Sequence, residues 1–136
     1  DSIMPRLYRE APLNAIWEGA GNVIALDIGR AAARNPESVE IFLDELEQSR
    51  GQDAGIDEHL DALRADFADP LSEAEARRLV EKLAVTWAAT LMVEHGHPSV
   101  SEAYLMSRVG GDHGSLFGTL PTSCDLDQIS RRAVPA

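Results

Sequence analysis

The chain has 136 residues, 44% of them hydrophobic and 5% aromatic, with a formal net charge of −11. That length supports one compact domain with a core, and Ala, Leu and Glu in place of aromatic and β-branched residues favour helices over a β-sandwich. The charge repels polyanions, which argues against nucleic-acid binding; Cys124 is the single cysteine, which excludes an internal disulfide and fits a reducing, cytoplasmic setting; no apolar run is long enough to span a bilayer.

Residues 1–12 read as a short helical stretch ending at Ala11, because Pro12 disfavours helix in the residue before it. Residues 13–21 read as a loop of small residues carrying Glu18. A helix from about Asn22 to Arg34 follows, and its broad apolar set (Val23, Ile24, Ala25, Leu26, Ile28) predicts the central, most buried helix. Asn35-Pro36 is a helix start, with Asn as cap and Pro at the first helical position. The helix it opens puts Val39, Phe42, Leu43 and Leu46 on one face and ends near Arg50-Gly51.

The next helix, about 55–68, aligns Ile56, Leu60, Leu63 and Phe67, and Asp69-Pro70 breaks the chain. Ser72 and Glu75 have capping-box spacing. Ala76, Leu79, Val80, Leu83, Ala84, Trp87, Ala88, Leu91 and Met92 then form a stripe of helical period that places Trp87 in the core. Gly96 stops this helix. Pro98 opens another to about Val109, with Val100, Ala103 and Tyr104 inward. Residues 110–125 read as a loop with one apolar island, Leu116-Phe117, before a short helix around 125–133. Short connections between amphipathic helices predict an all-α, up-and-down antiparallel bundle over 1–118 with a tail over 119–136.

Glu18 stands between Ile16-Trp17 and a glycine hinge, Gly19. Loss of hydration there disfavours the charged carboxylate and makes it a better proton acceptor near neutral pH. The structural alternative is a loop glutamate that caps the next helix or pairs with an arginine. Arg30, the nearest downstream cation, pairs with Glu18 or lines the pocket on the functional reading, and is a solvated helix residue or a structural salt bridge on the other. His95 and His97 match a metal pair by residue type alone; no further ligand stands at a recognised spacing, so no metal site is expected. His113 reads as a loop residue and Cys124 as an unreactive thiol.

The run from Met4 to Asn22, with Arg9-Glu10-Ala11 ahead of Trp17-Glu18-Gly19-Ala20, resembles the segment that carries the catalytic base of FAD-dependent acyl-CoA dehydrogenases. Trp17 in place of the usual tyrosine, together with Gly21-Asn22, is closer to the AidB-like, adaptive-response branch of that family. The likeness is carried by residues 4–30 and extends more weakly over 31–118, through the helix pattern and Gly110-Gly111-Asp112. It implies an acyl-CoA dehydrogenase C-terminal helical domain, with the N-terminal and middle domains absent; a chain opening on Asp1 rather than Met fits a cut product.

By the same resemblance, Glu18 is the base that removes the α-proton of an acyl-CoA thioester. Gly19 and Ala20 lie against FAD, Asn22 contacts the flavin nucleotide or caps the helix, and Trp17 is a pocket wall. Ala20 departs from the family's threonine or serine and lacks the hydroxyl that helps hold FAD, leaving backbone N–H groups of Gly19 and Ala20 for that contact. The resemblance further implies an isolated chain without turnover and a homo-dimer or tetramer. Two alternatives stand beside it: a helical oligomerisation module, and an AidB-like DNA-protection protein without acyl-CoA turnover.

Overall fold

The computed structural model describes residues 3–17, 19–68 and 72–133. These form helices α1 (Met4–Glu10), α2 (Gly21–Arg34), α3 (Pro36–Glu47), α4 (Ala54–Ala68), α5 (Ala76–His95), α6 (Pro98–Tyr104) and α7 (Leu126–Ala133). A 3-10 turn, Ala11–Ala15, continues α1, and a π-helical turn, Leu105–Val109, continues α6. No strand occurs among the described residues, and the expected all-α bundle is what forms. Successive helices α2 to α5 pack on one another, and α5 returns against α2 to close the ring.

The core lies between α3, α4 and α5. Leu43 and Leu46 meet Ile56, Leu60 and Leu63, with Leu79 and Ala89 from α5. Burial of each large aliphatic side chain contributes about 1.5–3 kcal/mol. Phe42, Phe67, Leu83 and Val109 close its rim. The predicted central role of the 22–34 helix is overturned: Ala25 is the one buried side chain of α2, and Val23 and Ile24 stay exposed. The helix packs on α5 and α3 at the edge of the core, which buries Ala25 and half-covers Leu26, Ile28 and Ala32 but leaves Val23 and Ile24 open.

Trp87 is also not core. It is 48% exposed and meets Phe42 edge-on, with ring centroids 5.4 Å apart. The buried stripe of α5 runs through Ala76, Leu79, Thr86, Ala89 and Thr90, which turns Trp87 and Leu91 outward. Counting hydrophobic residues misses this register, because two threonines occupy the inner face. Each hydroxyl donates to a carbonyl of its own helix: Thr86 to Lys82 at 2.7 Å and Thr90 to Trp87 at 2.8 Å. A buried threonine satisfied in this way costs little.

The helix ends differ in detail from the sequence reading. Asn35 precedes α3 with no side-chain cap; the Ser38 hydroxyl donates to the Asn35 carbonyl instead. Ser72 and Glu75 bond side chain to side chain, so neither caps α5 in the reciprocal manner of the box. Side-chain caps form at Asp53, whose Oδ1 accepts the N–H groups of Gly55 at 2.9 Å and Ile56 at 3.2 Å, and at Asp125, whose Oδ1 accepts Gln128 N–H at 3.0 Å at the start of α7. At the end of α5, the Met92 carbonyl accepts both the Gly96 N–H at 2.8 Å and the Ser101 hydroxyl at 2.5 Å. The π turn, closed by Gly110 N–H to the Leu105 carbonyl at 2.8 Å, puts Val109 against Gly55 of α4, where a Cβ would collide with it.

Candidate functional site

The segment that joins α1 to α2 is built from poor helix formers at its turning points. Pro12 and Leu13 sit in the 3-10 turn, whose end is tied by Ile16 N–H to the Leu13 carbonyl at 2.9 Å and by Trp17 N–H to the same carbonyl at 3.2 Å. The turn therefore runs further than the loop expected from residue 13 onward. Ile16 and Trp17 are 71% and 66% exposed, so Trp17 is not a wall of an enclosed pocket within this chain. Glu18, the expected base, lies outside the described residues.

Gly19 has φ +113, a backbone conformation open to glycine and strained for other residues. Ala20 is extended and opens α2; its carbonyl accepts Val23 N–H at 2.8 Å and Ile24 N–H at 3.2 Å. Asn22 therefore sits inside the first turn of α2 rather than at its cap, and its side chain is exposed. The cap reading of Asn22 is excluded by this register. Arg30 is paired with Asp27 on its own helix at 2.8 Å, a solvent-exposed salt bridge that matches the structural reading.

A cation that sequence reasoning missed stands at this corner. The Arg77 guanidinium of α5 lies against Gly21, where a Cβ would overlap its Nη1. Only the packing of α5 on α2 brings residues 21 and 77 together; no linear spacing signals it. The corner thus combines the positive end of α2 with a guanidinium, a donor set that fits a phosphate or carboxylate group. Ala20 adds no hydroxyl to it.

The remaining candidates fall elsewhere. His95 is exposed beside Glu94, and His97 Nε2 lies 3.1 Å from the Gln128 amide nitrogen of α7. No group of three metal-ligating side chains occurs among the described residues. The Cys124 thiol is buried 4.0 Å from Met106 Sδ. Phe117 is fully solvated and Leu116 largely so, rather than packed on this chain. No helix among the described residues is long and apolar enough to cross a membrane.

The chemistry of the described chain is therefore that of an all-helical bundle with one glycine-hinged corner at the start of α2. Among curated proteins, the chain is 29% identical over 104 residues to the protein titled "Putative acyl-CoA dehydrogenase AidB" of Escherichia coli strain K12. The match takes in 76% of this chain and 19% of that protein, so the chain spans about a fifth of the relative's length. The resemblance to the acyl-CoA dehydrogenase family and its AidB-like branch is borne out by this similarity. No family model matches the chain, and no solved structure does.

Proposed function

We propose that this chain is the C-terminal helical bundle, over residues 1–118, of an FAD-dependent acyl-CoA dehydrogenase-like oxidoreductase, and that Glu18 is its base. The similarity to AidB across 76% of the chain carries this reading. The glycine-hinged corner supports it. Gly19 relieves the backbone next to Glu18, and Ile16 and Trp17 are free to dry the carboxylate once further protein covers them. In this reading, Glu18 takes the α-proton of the thioester, and bound FAD supplies the acceptor for the β-hydride. The start of α2 and Arg77 hold the anionic part of the flavin nucleotide.

The chain alone would not turn over acyl-CoA, because it spans about a fifth of the relative's length and leaves Ile16 and Trp17 exposed. The test uses the whole gene product. Exchange of the acyl-CoA α-proton with deuterated solvent is followed in the parent and in Glu18→Gln. The expected result is exchange lowered by at least about a hundredfold in the variant with flavin still bound. Unchanged exchange would remove Glu18 from the reaction.

A second reading, a helical assembly module, is favoured by the apolar side chains left uncovered on α2 and α5, namely Val23, Ile24, Trp87 and Leu91. Light scattering tests this second reading. A dimer or tetramer of the isolated chain supports the assembly role, and a monomer at high concentration refutes it.

A further inference from the structure

Between α4, the start of α5 and the π turn lies an open crevice of about 620 Å³, lined by His59, Asp66, Arg78, Lys82 and Arg108. It is distinct from the corner at Gly21. Its cations are not equivalent. Lys82 Nζ is committed to Asp66 at 2.6 Å. Arg78 and Arg108 are both exposed, and neither has a carboxylate partner among the described residues. Two unpartnered guanidiniums on one crevice are notable in a chain carrying 23 acidic residues.

His59 has its proton placed by its neighbour. The Thr86 hydroxyl has one hydrogen, which it donates to the Lys82 carbonyl at 2.7 Å. Its oxygen, 3.1 Å from His59 Nδ1, can then only accept. Nδ1 must carry the ring hydrogen, and Nε2 keeps a lone pair with no protein donor. Burial, and then the nearby Lys82 charge, lower the imidazole pKa, outweighing the opposing effect of Glu58. The ring is thus a neutral acceptor near pH 7, fixed by a buried threonine that is 0% exposed.

We propose that this crevice binds a phosphate group that still carries a proton, with Arg78 and Arg108 holding its charged oxygens and His59 Nε2 accepting its P–O–H. A fully ionised anion would satisfy the arginines but give the imidazole nothing. Glu75 and Glu81 on the same wall add to that discrimination, because carboxylates repel an oxyanion that has no hydrogen to donate. Inorganic phosphate meets the requirement near pH 7, because its dianion keeps one P–O–H; a phosphomonoester meets it only as its monoanion, below its second pKa of about 6. Sulfate and phosphodiesters, the nucleic-acid backbone included, do not.

The intact chain is titrated near pH 7 at constant ionic strength with inorganic phosphate, methyl phosphate, dimethyl phosphate and sulfate. Heat is read by calorimetry and the His59 ring nitrogens by NMR. Phosphate is expected to bind at least about tenfold tighter than sulfate and to move the Nε2 resonance, with dimethyl phosphate silent. Methyl phosphate, mostly a dianion without a P–O–H near pH 7, is expected to bind more weakly than phosphate, which names the free ion as the ligand; binding as tight as that of phosphate would overturn the role given to the P–O–H. Arg78→Gln and Arg108→Gln, both at solvated positions, should each weaken phosphate about tenfold. His59→Ala should erase the preference over sulfate. Equal affinity for sulfate and phosphate, an unmoved Nε2, or undiminished binding in both arginine variants would overturn the proposal. The arginine variants keep that decision available even if His59→Ala does not fold.

Discussion

Glu47 couples α3 to α4 through charge. Its carboxylate accepts Arg50 Nε at 2.6 Å and Arg64 Nε at 2.8 Å, and Arg64 reaches on to Asp44 at 2.9 Å. The hydrogen bond from Arg50, followed by that from Arg64, lowers the Glu47 pKa from 4.5 to about 2. At full value that difference favours the charged form by about 3 kcal/mol. Arg50 and Arg64 are 39% and 37% exposed, so solvent and salt reduce the contribution to stability to about 1–2 kcal/mol. Because the folded pKa lies below the unfolded one, the stabilisation is complete above 4.5 and drains away as pH falls from 4.5 towards 2. Glu47→Gln keeps shape and helix propensity and removes the charge. Urea unfolding of parent and variant, followed by circular dichroism, should show a deficit of about 1–2 kcal/mol near pH 7 and less than half of it near pH 3. A variant as stable as the parent near pH 7, or a deficit of the same size at both pH values, would refute the reasoning.

Leu60→Ala removes the centre of the α3–α4–α5 contact, where Leu60 is 1% exposed, and should cost about 2–5 kcal/mol in the same unfolding assay. Gly96→Ala sets a Cβ into the Met92 carbonyl and the Ser101 hydroxyl, a backbone collision that cannot be relieved by rotating a side chain. It should cost about 1–3 kcal/mol, visible as a lower thermal midpoint, and a neutral result would mean that the joint between α5 and α6 is looser than its hydrogen bonds indicate.

Helix positions were legible in the sequence wherever apolar spacing and a breaker agreed. Pro36, Gly96 and Pro98 mark real boundaries, and Leu43, Leu46, Ile56, Leu60 and Leu63 are the core that their period predicts. The misplaced burials share one cause: hydrophobicity does not equal burial, and the apolar α2 and Trp87 are largely open while Thr86 is buried and His59 half-buried. His59 was within reach, since it lies three residues after Ile56 on the buried side of α4. Thr86 was accessible in the same way, seven residues after Leu79. What no linear pattern carries is the pairing of distant elements, such as Arg77 with Gly21 or Arg108 with Arg78. Glu18 lies outside the described residues, and its role as base is a proposal that rests on the resemblance of the run around it.

Ala25 is the one buried side chain between residues 19 and 34, and residues 3–17 contribute none. Residues 3–34 therefore form an outer layer, fastened by Ala25, by the half-buried Leu26, Ile28 and Ala32, and by the packing of α2 on α5 and α3. Backbone amides of α2 should exchange with solvent through openings that leave Leu60 and Leu63 covered, long before the molecule unfolds as a whole. The glycine-hinged corner rides on the layer that detaches at the lowest free energy. Any partner that clamps α2 would consequently set the position of that corner more firmly than the bundle itself does.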